Sequence, residues 1–287
     1  MKSHKYLGFV SLVAASLLFA AQASATTCNV NSITGTQTMG SPVCINTSSS
    51  DGASNSLQNA LNGITTSGPN INVYTGQSSP SAYWSIGASG GSYNAVMLEI
   101  AGNAGSNTFG IFDPSNPSNY LQLFSGVATT GDSTLLTVVN NGDGTYTFTA
   151  SYYSGGVPTG SYSQITMSGD VFGYYLGAAS NTPTFYSDPS MNAPGGTTYP
   201  NGMPHMATYE GNNTTYLNDA KFLSSEYLLA WDDSAWGSSD QDYNDFVVLV
   251  ESVHPVPEPA ELGIFGLGLL LIVGFEATRR RRQKSNI

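Results

Sequence analysis

The sequence predicts an all-β fold, an antiparallel β-sandwich of jelly-roll-like type, set between an N-terminal signal peptide and a C-terminal transmembrane helix. Three observations lead there. First, short apolar or alternating segments recur along the chain, each bounded by Gly, Pro, Asn, Asp or Ser clusters, the pattern of strands joined by tight links. Second, charged residues make up only 9% of the 287, and Gly, Ser, Thr, Asn and Tyr fill their place, as in turn-rich extracellular β-proteins. Third, uncharged apolar runs stand at both ends, outside the strand pattern.

The leader comes first in the chain. Lys2 and Lys5 supply a positive start, Leu7–Ala20 is apolar, and Ala23-Ser24-Ala25 has the small-x-small cleavage pattern, so residues 1–25 read as a signal peptide cut after Ala25. Export permits disulfides, and Cys28 and Cys44 are the two cysteines of the chain. A bridge between them would staple the otherwise irregular segment 26–54. Two buried thiols or a metal pair are the alternatives, and two Cys without a neighbouring His make a poor zinc site.

The body is strongly acidic. Between Thr26 and Pro259, Lys221 stands alone against 17 acidic residues, a net charge of about −16. Nucleic acid and anionic lipid are repelled by such a surface; metal cations or basic polymers are its natural counter-ions.

Within residues 55–253, "NSLQNALNG" (Asn55–Gly63) predicts one short helix with Leu57, Ala60 and Leu61 on one face and Gly63 at its C-terminal end. Strands follow at "AYWSI", "YNAVMLEI", "NTFGIF", "YLQLF", "STLLTVV", "TYTFTASYY", "VFGYYL", "HMATY", "EYLLAW" and "DFVVLVE". The clearest alternation is Tyr146, Phe148, Ala150 and Tyr152, and the preceding "NNGDG" reads as its hairpin turn, because Asn-Gly and Asp-Gly tolerate positive φ. One domain is the simpler reading; a break near Ser154–Ser161 is the alternative.

The last strand is entered through an acidic stretch. Asp232, Asp233, Asp240, Asp242 and Asp245 fall close together, with Asn244 adding a neutral oxygen. Asp240, Asp242 and Asn244 have the alternating spacing of a calcium loop, yet an EF-hand is excluded: Asp245 stands where Gly is needed, and the strand that follows would carry Glu251 some 20 Å away. Two readings stay open. The residues hold calcium at a sheet edge, or they cap turns by bonding their own backbone.

The chain end is the third part. Leu262–Phe275 would form a helix of about 21 Å, short of the ~30 Å hydrocarbon core, and marginal spanning length is reached by adding Ala260–Glu261 and Glu276–Thr278. Arg279, Arg280, Arg281 and Arg282 belong on the cytoplasmic side, which agrees with a leader that sends the body outward. Val256-Pro257-Glu258-Pro259, this helix and the arginine cluster together resemble the PEP-CTERM sorting signal over residues 254–287, with Glu276 in the helix end as a departure. The resemblance implies processing by an exosortase-type enzyme in a Gram-negative bacterium that makes extracellular polysaccharide. The protein would be held in the inner membrane by its C-terminal helix and then passed to the cell surface or matrix.

A second resemblance covers about 165–252, with Asn107–Asp113 as its upstream half. "VFGYYLGAA", "TFYSDPSMN", "PHMATY" and the Asp-x-Asp-Tyr-Asn-Asp motif of Asp240, Asp242, Tyr243, Asn244 and Asp245 are similar to an uncharacterised bacterial surface β-domain. Asp232-Asp233 stands where that family has Glu-Asp. This implies a location and a fold class, not a reaction.

No Gly-x-Ser-x-Gly elbow, His-Glu-x-x-His helix or phosphate loop occurs. His205, alone at a strand start, reads as structural, and the acids share one local loop instead of facing each other as a glycosidase pair would. The expectation is a non-enzymatic structural or adhesive protein of the surface or biofilm matrix, with calcium as its cofactor and no nucleic-acid partner. A carbohydrate-binding module for exopolysaccharide, with Trp84, Trp231 and Trp236 as platforms, is the first alternative; a glycoside hydrolase is the second.

Overall fold

The structure, a computed structural model, describes residues 43–46, 53–78, 81–87, 90–100, 105–196 and 199–256. The signal peptide with Ala23 and Ala25, Cys28, Pro257, Glu258, Pro259, the apolar run and Arg279, Arg280, Arg281 and Arg282 lie outside these residues. Cys44 is disulfide-bonded. Among the described residues, no helix is long and apolar enough to cross a membrane.

Among the described residues the one α-helix, α1 (Leu57–Ile64), begins where the Ser56 hydroxyl accepts from the Asn59 amide and buries Leu57 and Leu61. It runs past Gly63 and is closed by Thr65 instead of the expected glycine. The Thr65 hydroxyl donates to the Leu61 carbonyl, satisfying a group the helix end leaves open.

The strands, in chain order, are β1 (Thr65–Ser67), β2 (Tyr83–Ile86), β3 (Ser92–Leu98), β4 (Thr108–Asp113), β5 (Asn116–Phe124), β6 (Asp132–Asn140), β7 (Tyr146–Ser154), β8 (Val157–Met167), β9 (Val171–Gly177), β10 (Phe185–Tyr186), β11 (Met206–Glu210), β12 (Tyr216–Leu217), β13 (Ala220–Lys221), β14 (Glu226–Trp231), β15 (Phe246–Glu251) and β16 (Val253–Val256). Every segment expected as a strand holds one, and the pairings are antiparallel. One sheet runs β16-β2-β9-β4-β5, with β10 on β9; a larger one runs β11-β14-β15-β3-β6-β7-β8; a small sheet pairs β1-β12-β13.

The two large sheets pack face to face. Their shared core is aromatic: Trp84 meets Tyr227, Phe109 meets Trp231 and Phe246, and Phe148 meets Phe172, each pair joining one sheet to the other at ring separations of 4.9–6.1 Å. Edge-on and tilted contacts of this kind suit the ring quadrupoles. Trp84 and Trp231 are therefore core residues with no exposed surface, not carbohydrate platforms; of the three tryptophans only Trp236 reaches solvent.

A second core lies on the opposite face of the larger sheet. There α1, Val43, Ile45, Ile71, Val73, Leu217 and Phe222 cover Ala207, Leu228, Ala230 and Val247. This explains why "EYLLAW" and "FVVLV" are continuous apolar runs: β14 and most of β15 are buried on both sides. Val43–Ile45, expected as part of a loose N-terminal segment, are fully packed here without forming a strand.

The other half of that sheet is bare on its outer side. β7 alternates as expected, with Phe148 and Ala150 inward and Tyr146 and Tyr152 packed beside them. The "NNGDG" stretch is its turn, with Gly142 and Gly144 at φ 83 and 90. β8 was not expected as a strand; it is exposed along almost its whole length. The region considered as a domain break is the β7–β8 hairpin, turned by Gly155 and Gly156 at positive φ. At the chain's far end, β16 pairs with β2 from Val253↔Ile86 to Val256↔Tyr83, so the sheet includes His254, Pro255 and Val256 of the segment assigned to the sorting signal.

Candidate functional site: the acidic end of the sandwich

The strand pair β14–β15 ends at Trp231↔Phe246, which places Asp232 and Asp233 opposite Asp245 across the mouth of the hairpin. The Asp233 amide donates to Asp245 Oδ2 at 2.8 Å. The loop between them folds back so that the Ser239 hydroxyl donates to Asp232 Oδ2 and the Ser234 amide to Asp232 Oδ1. Asp232, Asp233, Asp242, Asn244 and Asp245 are all buried, and Asp240 is half-buried. These residues, close in sequence, lie at one end of the sandwich.

Two of these loop residues carry unusual backbone. Gln241 and Tyr243 have φ of 58 and 55. For a bulky residue such a conformation is costly. At Tyr243 it is offset by burial: the ring enters the second core, and its hydroxyl donates to the Pro204 carbonyl at 2.7 Å.

Residues distant in sequence complete the site. The Asn107 amide donates to Asp233 Oδ2 at 2.8 Å and accepts from the Ala179 amide, tying the acidic end to the facing sheet. Asn46 reaches the loop from the N-terminal side through Asp240 and Gln241 carbonyls. The Asn244 amide donates to the Asn55 carbonyl at 2.7 Å, just before α1. That bond commits Asn244 Nδ2 as the donor and leaves Oδ1 buried with no donor to accept from.

The electrostatics separate these carboxylates from ordinary turn caps. Asp113 shows what capping does: burial works to raise its pKa, but donors from Ser115 and Ser168 outweigh it and hold the group below its usual range. At the acidic end the balance is reversed. Burial, aided by Asp240 and Asp242, pushes Asp232 up to about 7 despite Ser239 and Ser234. Burial and then the charge of Asp233 push Asp245 up to about 9. Glu99 is raised by burial, with Asp233 contributing.

His205 belongs to the same end. Its ring Nδ1 lies 3.0 Å from the Asp232 carbonyl, so Nδ1 must carry the proton, and the ring stacks on Phe185 at 3.7 Å. Burial lowers its pKa to about 4, which keeps it neutral. It offers the carboxylates no positive charge.

Among the described residues, no three His, Cys, Asp or Glu side chains converge as a group that could hold a metal ion. The acidic end as it stands is a hydrogen-bonded network of carboxyl groups. The chain matches no family model, no curated protein and no solved structure.

Proposed function

We propose that this is an exported, non-enzymatic protein of the bacterial surface or extracellular matrix, with a structural or adhesive role, stabilised by calcium at its acidic end. The observation that carries the reading is the acidic end itself. Four buried aspartates lie at that end beside the Asn244 Oδ1, which is buried with no hydrogen-bond partner, and burial keeps the nearby His205 neutral. Lys221, the one basic residue of the body, sits exposed on β13. Groups of this kind need protons or a cation, and extracellular calcium sites function with affinities as weak as about 10⁻⁴–10⁻³ M.

Burial also supports a structural role over catalysis. Asp232, Asp242 and Asn244 have no exposed surface, so a substrate cannot reach them. Export, anchoring by the C-terminal helix and exosortase-type processing rest on the resemblance of residues 254–287 to the PEP-CTERM signal. A preference for exopolysaccharide rests on that setting and on the outer sheet face considered below.

One preparation tests both halves. The protein recovered from its native host is expected to have a mass that excludes Arg279–Arg282. A chain still ending at Ile287 overturns processing. Melted in EDTA and again in millimolar calcium, the same material is expected to gain stability, about 2.7 kcal/mol at a hundredfold excess over the dissociation constant. Asp242→Asn and Asp245→Asn should remove most of that gain. Asp143→Asn, in the exposed β6–β7 turn where the carboxylate only bonds Thr145, should leave it intact. Coincident melts would return the acidic loop to turn chemistry.

A further inference from the structure

The outer face of β6, β7 and β8, with Tyr93 at the start of β3, has a chemistry of its own. An open groove of about 470 Å³ runs over β7 and β8, lined by Thr149, Ser151, Tyr153, Pro158, Tyr162 and Gln164 among others. Register aligns a row across four strands: Tyr93 lies opposite Leu135, Leu135 opposite Ser151, and Ser151 opposite Tyr162. The two tyrosines that end this row are 40% and 66% exposed. Three strand spacings separate them, about 14 Å.

A bulge shapes the groove. The β7–β8 register shifts between Ser151 and Tyr153, the Thr159 hydroxyl bonds the Tyr152 carbonyl, and Gly160 takes φ 78. This opens the strand pair between Tyr153 and Tyr162. The Gln164 amide is held toward the face by the Thr149 hydroxyl at 2.9 Å.

No Asp, Glu, Lys, Arg or His occurs from Gly144 to Gly169, within a body of about −16 net charge. That neutrality selects the occupant. An anionic polymer would find no ammonium or guanidinium and would meet the repulsion of the whole body. A peptide adding as a strand would pair with the β8 edge instead of lying across the face. Tyrosine rings provide flat amphipathic area, and hydroxyl and amide groups match alcohols without demanding charge. We infer that this face binds a linear neutral polysaccharide laid along the Tyr93–Tyr162 row. The inference deepens the adhesive reading by naming the surface and the ligand class.

Affinity electrophoresis of the secreted protein tests it. Native gels cast with hydroxyethylcellulose, galactomannan or starch supply neutral glycans, and gels cast with polyuronate supply an anionic one. Retardation is expected in at least one neutral gel and not in polyuronate. Tyr162→Ala and Tyr153→Ala should each weaken it roughly tenfold, as for truncation of an aromatic anchor, with an unchanged melting point. Equal retardation by polyuronate, indifference to Tyr162→Ala, or no retardation in any neutral gel overturns the inference. So does sedimentation as a dimer that Tyr162→Ala dissolves, because the face would then join two copies. Calcium-dependent melting survives each of these failures, so the two proposals fail separately.

Discussion

Trp84→Ala is expected to remove about 3–5 kcal/mol of unfolding free energy, the cost of truncating a fully buried aromatic. Trp84 is completely enclosed between the sheets and packs edge-on against Tyr174 and Tyr227 at 5.8 and 4.9 Å. The cavity would open in the middle of the shared core, where neither sheet can close it without losing register. Trp236→Ala makes the comparison. Trp236 is 38% exposed and contacts one ring, Tyr199, at 5.7 Å, so its removal should cost under about 1 kcal/mol. Urea unfolding of both variants decides the matter; similar midpoints would mean that Trp84 is not the interior residue described.

The second large effect is a fall in calcium-free stability as pH rises. Asp245 and Asp232 have folded pKa values of about 9 and about 7, above their ordinary 3.8. Glu251, half-buried directly opposite Glu226 in the β14–β15 ladder, is raised to about 7 from 4.5 by burial and then by the Glu226 charge. A raised carboxyl pKa means that the folded state keeps a proton the unfolded chain has released. Stability therefore declines from about pH 4 upward. Asp232 and Glu251 complete their contribution near pH 7, and Asp245 continues to about pH 9. In EDTA, the fall from pH 7 to 9 should be at most about 1.4 kcal/mol per unit, and Asp245→Asn should flatten it. A wild-type slope rising with pH over that range would contradict the buried carboxyl network. On the proposed calcium reading the cation competes with those protons, so its stabilising effect should be larger at pH 8 than at pH 5.

How much of this was legible in the chain depended on burial. β14 and β15 stood out as apolar runs because both of their faces are covered, and β7 stood out because one is. β8 left no trace: a strand whose side chains mostly meet water needs no apolar period, and Val157–Met167 has none. The acidic end was half legible. Its aspartates cluster in sequence because one hairpin mouth holds them, whereas Asn107 and Asn55 reach it from 126 and 189 positions away, and only the fold brings them there. Tryptophan exposure was misread because composition cannot tell a platform from a core residue; here β14 and β2 turn Trp231 and Trp84 inward.

The unequal covering of the larger sheet has a dynamic consequence. Detaching β8 breaks one ladder and exposes little apolar surface, whereas detaching β14 or β15 opens both cores at once. Local openings with different free energies should thus coexist in one sheet, low at the tyrosine-bearing margin and close to the global value beneath α1. Amides of β8 would exchange with solvent long before those of β14. The tyrosine-bearing margin can yield locally while the β14–β15 ladder, covered on both faces, opens only when the whole fold does.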